Sequence, residues 1–207
     1  MSEVDRSDRL VADDLRAGLR EGCLGHQLVV VEEASSTNDL AWEAEARGAP
    51  EGFVVFAERQ TAGRGQYGRR WESAPYQGLW FSVLLRPRIT LNESPQLTSL
   101  LATVAAATII EETGLAASIK APNDIYVASR KIAGVLVEGR AARDGGYTAV
   151  AGLGVNVNQT LEDFPPELQT TAGSLRMATG RAIQRGQLAI ALLRKLAIDY
   201  RAFRRAG

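Results

Sequence analysis

These 207 residues include one cysteine, one histidine and three lysines, so side chains that usually serve as nucleophiles, bases and metal ligands are scarce. Cys23 has no partner for an internal disulfide, and His26 is too isolated to anchor a metal cluster. Metal hydrolysis and Ser-His-Asp or Cys-His catalysis are therefore poor readings, and no metal site is expected. No run of 18 apolar residues is present, and the charged stretch Met1 to Leu10 is too polar for a signal peptide, so the chain is expected in the cytoplasm, off the membrane. Net charge is also missing: 24 basic residues balance 24 acidic ones, against the basic excess of most nucleic-acid or anionic-membrane binders. With 45% apolar residues, 20 Gly and only 7 Pro, what remains is one ordinary domain spanning 1–207.

The three lysines are Lys120, Lys131 and Lys195, and the rest of the basic residues are arginine. Against that bias a lysine invites a role that guanidinium does not fill, such as a compact point charge at a phosphate. Periodicity predicts helices over Arg6–Gly22, from the Ser36 cap to Arg47, over Ser94–Thr113 (the longest) and over Gln184–Arg204, with a helical turn at Ser174–Thr179. Strands are predicted at 27–33, 53–57, 79–85, 116–120, 125–127, 132–138 and 147–157, those around Ala128-Ser129-Arg130 forming a hairpin. Strands partly in hairpins and helices partly in blocks give an α+β fold, a mixed, mainly antiparallel sheet flanked by helices.

Three segments carry chemistry. Glu58 to Gln77 lacks any period and contains Gly63-Arg64-Gly65-Gln66-Tyr67-Gly68-Arg69-Arg70-Trp71. This matches G-x-G-x-x-G literally, but the residues that follow cannot open a helix, which argues against dinucleotide binding. A glycine loop with three arginines and a tryptophan suits an anion beside a flat ring, and is expected to order on binding. Read blandly, it is a solvated basic turn. The second segment, Lys120-Ala121-Pro122-Asn123-Asp124, leads to Lys131-Ile132-Ala133-Gly134. Here Asn-Asp makes a turn, Lys131 starts an apolar strand, and Gly134 leaves room for a ligand or another backbone. The third, Gly152-Leu153-Gly154-Val155-Asn156, pairs glycines with an amide in an apolar strand.

Together with Ser36-Thr37-Asn38 and Gln60-Thr61-Ala62, these segments resemble, in the same order, the catalytic domain of biotin–protein ligases over roughly residues 28 to 205. The resemblance implies a biotin/lipoate ligase-like fold. It also implies a reaction in which biotin and MgATP give biotinyl-5'-AMP, whose acyl group passes to a lysine of a biotin carboxyl carrier domain. ATP and Mg are then co-substrates, biotin is a substrate, no cofactor is tightly bound, and the protein is a monomer or homodimer. Carried over residue by residue, the resemblance gives catalytic roles to Lys131, Arg64 and Asp124, the last orienting or deprotonating the acceptor lysine. It places biotin against Ser36, Thr37, Asn38, Gln60, Gly63, Arg64, Gly65, Gln66, Lys131 and Gly134, and ATP or the adenylate against Arg64, Arg69, Trp71, Asn123, Lys131 and Asn156.

The chain departs from the family pattern at two positions. Gln66 stands where the family loop carries a second arginine, which predicts a weaker hold on the adenylate or compensation by Arg69 and Arg70. Ala121 stands where the family has tryptophan. Only about 26 residues precede the first strand and the sequence ends directly after the closing helix, so neither an N-terminal DNA-binding helix-turn-helix nor a C-terminal SH3-like barrel is expected, and DNA is not an expected partner. Two other readings stay open on sequence: a lipoate ligase or octanoyltransferase of the same fold, and a non-catalytic biotin- or adenylate-binding module.

Overall fold

A computed structural model of the chain describes residues 8–19, 24–141 and 146–206. Cys23, Gly22 and the start of the helix read from Arg6 lie outside these residues.

Among the described residues seven strands form one sheet: β1 (Leu28–Ala34), β2 (Val54–Gln60), β3 (Gly78–Leu85), β4 (Ala117–Lys120), β5 (Asp124–Val127), β6 (Arg130–Ala141) and β7 (Tyr147–Asn156). Their order is β1-β2-β3-β7-β6-β5-β4, and among these strand pairs β1 with β2 is parallel and the others antiparallel. That pair is joined by α2 (Thr37–Ala46), because a parallel neighbour needs a crossover. The other helices are α1 (Ala12–Gly18), α3 (Ser94–Thr113), α4 (Leu175–Thr179) and α5 (Arg185–Ala206). The mixed, mainly antiparallel sheet agrees with the α+β expectation. At 22 residues against 20, α5 is longer than α3. Among the described residues no helix is long and apolar enough to cross a membrane.

Local chemistry explains several boundaries. Ser36 caps α2, its Oγ accepting from the Asn38 N–H, and Gly114 ends α3 at φ +72°. The hairpin between β5 and β6 turns at Ala128 and Ser129, both at positive φ (+47° and +65°), the double left-handed turn that two-residue hairpins favour. β2 runs on to Gln60, further than its apolar run suggested. Glu58, read as the start of a loop, lies in that strand and is buried.

Alternation along the strands divides the core between the two faces. Val54, Phe56, Val83, Leu85, Ala149 and Ala151 belong to the large cluster formed with α1, α3 and α5, and Val55, Leu84 and Val150 pack with Ala41 and Trp42 of α2. On the α2 face the residues two and four positions beyond Val150 are Gly152 and Gly154. Their partners across the ladder are Leu136 and Gly134 on β6, and Ser82 and Trp80 on β3. Where these glycines follow Val150, that face has no side chains of its own on β7.

Candidate active site

A cavity of about 580 Å³ opens over that stretch. Its lining gathers Ser36, Thr37, Asn38, Gln60, Arg64, Gly65, Gln66, Arg69, Trp71, Asn123, Asp124, Lys131 and Gly134, residues from separate segments of the sequence. Gly63 and Asn156 do not line it. A Cβ on Gly63 would sit 2.6 Å from the Trp71 carbonyl oxygen, so Gly63 acts by letting the two limbs of the loop close. Asn156 is buried at the end of β7, where its Oδ1 accepts from Gln159 Nε2 at 3.1 Å.

At the start of α2, the Gln60 side-chain oxygen accepts from the Thr37 N–H at 2.8 Å and from the Thr37 hydroxyl at 3.2 Å. Ser82 Oγ donates to Asn38 Oδ1 at 2.6 Å and lies 2.7 Å from Thr37 Oγ1. This fixes the Asn38 carboxamide, while its buried Nδ2 has no hydrogen-bond partner. An unpaired buried donor costs about 1–3 kcal/mol, and an acceptor on a ligand removes that penalty. Ser82 does not line the cavity, but it positions Asn38, a role that sequence reading missed. A serine in an otherwise apolar strand was the available signal, readable only once β3 is known to adjoin β7.

Trp71 lies on the bare stretch. A Cβ on Gly154 would come within 2.6 Å of its Cε2, and one on Gly134 within 2.9 Å of its Cζ3. The room at Gly134, expected for a ligand or another backbone, is thus taken by the indole, which leaves its buried Nε1 unpaired. Lys131 Nζ stands 5.4 Å from the Trp71 ring centroid and 2.6 Å from Asp124 Oδ1. The Lys131 main chain is tied to the 168–173 segment, its N–H donating to Thr171 O and its carbonyl accepting from Gly173 N. Asn123 holds the turn to β6, donating from Nδ2 to Val135 O and accepting from Val135 N, both at 3.0 Å. Its side-chain donor therefore acts on the framework.

The glycine loop is folded on itself. Gly65 N–H donates to Arg69 O at 2.7 Å, Trp71 N–H donates to Gly63 O at 2.9 Å, and Arg64 bridges Arg70. The resemblance puts Arg64 at the phosphate, but here two carboxylates occupy its guanidinium: Asp39, by a two-pronged pair at 2.7 and 2.9 Å, and Glu138, at 3.2 Å. The Arg64 hydrogen bonds hold the Asp39 carboxyl below its ordinary value, and Asp39 in turn raises Arg64. Of the two residues expected to compensate for Gln66, Arg70 is paired with Glu72 at 2.8 Å. Arg69 lines the cavity with no side-chain partner among the described residues.

A family model, the biotin/lipoate A/B protein ligase family, matches residues 30–156. The chain belongs to this family. Among its relatives, the bifunctional ligase/repressor BirA of Bacillus subtilis is 40% identical over 182 residues, which cover 88% of this chain and 56% of the relative. The chain thus spans little more than half the length of that relative. The biotin–[acetyl-CoA-carboxylase] ligase of Mycobacterium tuberculosis is 32% identical, covering 91% of this chain and 71% of that protein. Among solved structures, the Aquifex aeolicus biotin protein ligase in complex with biotin and ATP superposes with a TM-score of 0.75 at 30% identity, covering 88% of this chain and 73% of the other. The seven-stranded mixed sheet is thus the ligase fold.

Proposed function

We propose that this chain is the catalytic domain of a biotin–protein ligase. A biotin carboxylate oxygen attacks the α-phosphorus of MgATP, pyrophosphate leaves, and biotinyl-5'-AMP stays bound. The amine of a lysine on a carboxyl carrier domain then attacks the acyl carbon, loses a proton and releases AMP. Magnesium arrives with ATP as a co-substrate, and the reaction is placed in the cytoplasm.

The observation that carries this reading is a single cavity joining a buried, unpaired amide N–H to two cationic side chains. Asn38 Nδ2 lacks an acceptor, and a ureido carbonyl is one. Phe81, Val135, Leu136 and Leu153 add apolar lining for a fused ring and its chain. Gln60 accepts two hydrogen bonds from Thr37, and Ser36 accepts from the Asn38 N–H, and together these bonds shape that part of the cavity. Lys131 and Arg69 supply positive charge where two anions must meet, the condition for phosphoryl transfer by electrostatic stabilisation. Asp124, ion-paired with Lys131, keeps that ammonium over the cavity and is the carboxylate available to orient the acceptor amine. Trp71 and Gly154 form the flat wall for the adenylate.

The test is labelling of a carrier domain by biotin with ATP, beside the same assay with lipoate. The expected result is ATP-dependent biotin transfer, no lipoate transfer, and a loss of about 100- to 1000-fold in Lys131→Ala. Absence of labelling, preference for lipoate, or full activity in Lys131→Ala overturns the reading.

A further inference from the structure

Arg64 is the residue of the glycine loop whose contacts least resemble those of a phosphate ligand. Both of its terminal nitrogens face Asp39, and one also reaches Glu138, so one positive charge already meets two negative ones. Those carboxylates are themselves fixed from outside the loop. Glu138 Oε2 accepts from the indole N–H of Trp42 at 3.0 Å, and Trp42 is buried against the sheet with Arg140 stacked 4.1 Å from its ring centroid. Ser35 Oγ lies 3.3 Å from Asp39 Oδ2. The receptor for Arg64 is thus built by α2 and β6, independently of the loop that supplies the arginine.

The loop's own hydrogen bonds carry this anchoring onward. Gly65 is bonded to Arg69, Gly63 to Trp71, and Arg64 is bridged to Arg70, so the position of Arg64 sets the positions of Arg69 and Trp71. Among the described residues, two side chains between 63 and 71 tie the loop to the rest of the molecule: Arg64 to α2 and β6, and Trp71 to the glycines of β6 and β7.

We propose that Asp39 and Glu138 are positioning residues of this site. They hold Arg64 as a clasp that keeps the glycine loop closed over the cavity, so that Arg64 holds the loop and Arg69 with Lys131 meets the phosphates. The inference rests on the ligase reading for its substrate, but the clasp itself stands on loop geometry alone. A bidentate pair of this kind fixes direction as well as distance, and a displacement of about 1 Å at a reacting group is worth on the order of 100-fold in rate.

The test uses the full chain in four forms: wild type, Arg64→Ala, Asp39→Asn with Glu138→Gln, and all three substitutions together. Glutamine at 138 retains an acceptor for Trp42, and a urea midpoint within the wild-type range confirms that each form is folded. The first measurement is trypsin cleavage after Arg69 and Arg70 without ligand, and the second is release of preloaded biotinyl-AMP. The clasp predicts that Arg64→Ala and the carboxylate pair each accelerate both by about tenfold, and that the triple variant is no worse than either. If the carboxylate pair behaves as wild type while Arg64→Ala releases the adenylate, Arg64 acts on phosphate directly and the proposal is overturned. If wild type forms no adenylate, the ligase reading fails, and the trypsin measurement alone decides the clasp.

Discussion

Two arginines in this molecule each meet two carboxylates, in contrasting surroundings. Arg185 opens α5 with no exposed surface. Its Nη1 lies 2.6 Å from Glu58 Oε2 and 3.1 Å from the Gly78 carbonyl, and its Nε lies 3.2 Å from Asp8 Oδ2. Glu58 is equally enclosed and also accepts from the Leu10 N–H. Arg64 and Asp39, by contrast, leave 38% and 40% of their side-chain surface to solvent, and Glu138 leaves 30%. The donors and acceptors are alike; burial separates their consequences. A buried pair cannot part without leaving a charge in a medium that solvates it badly, so it joins the N-terminal segment, β2, β3 and α5 permanently. An exposed pair opens at little cost because water replaces the partner. That suits a loop that must admit substrates and release a product.

Of the two arginines, Arg185 is the one whose loss the fold tolerates least. Arg185→Met strands the Glu58 carboxylate and is expected to lower stability by about 3–5 kcal/mol in urea unfolding. Glu58→Gln keeps the shape but loses the charge, and the expected loss is about 1.5–3 kcal/mol. A loss below about 1 kcal/mol in Arg185→Met would place the buried cluster in the same class as the exposed one.

Neither cluster was legible in the sequence, and for the same reason. Glu58 reads as the beginning of a polar stretch because its partner is 127 positions away, and Arg64 reads as an anion ligand because Asp39 and Glu138 come from a helix and a strand not adjacent to it in sequence. Local features were readable where the determinant is local. Ser36 caps its helix, Gly114 ends α3, and Ser94–Thr113 is helical with the expected bounds. The cavity residues were readable as separate segments, but not why Gly134 and Gly154 are glycine. That depends on their facing each other across β6 and β7 and on Trp71 lying over both. The parallel pairing of β1 with β2 was equally hidden, since the side-chain pattern of a short strand does not state which neighbour it takes.

A test of intermediate size concerns the other tie of the loop. In Gly154→Ala the new methyl would stand 2.6 Å from the Trp71 ring, too close for contact, so the indole must move. The expected outcome is a folded protein destabilised by about 1–3 kcal/mol, with altered tryptophan fluorescence and adenylate release faster by about tenfold. Unchanged release would leave Arg64 as the tie that matters and make the contrast between the two arginine clusters sharper still.

The smallest expected effect is on stability at the exposed cluster itself. Asp39→Asn should change the urea unfolding free energy by under about 1 kcal/mol, as exposed ion pairs do, while loosening the loop. Its pH dependence follows from the direction of the Asp39 shift. The hydrogen bonds from Arg64 put the folded carboxyl below its ordinary value of 3.8. A lowered carboxylate contributes stability that is fully present above the unfolded value and is lost as pH falls through the folded one. Hydrogen-exchange protection of residues 63–71, corrected for intrinsic rates, should therefore stay flat from pH 8 to 5 and fall only below about pH 4. Asp39→Asn should show the lower protection throughout that window. A decline between pH 7 and 5 in the wild type would mean that a group titrating there governs the loop, and the ion pair between Arg64 and Asp39 does not.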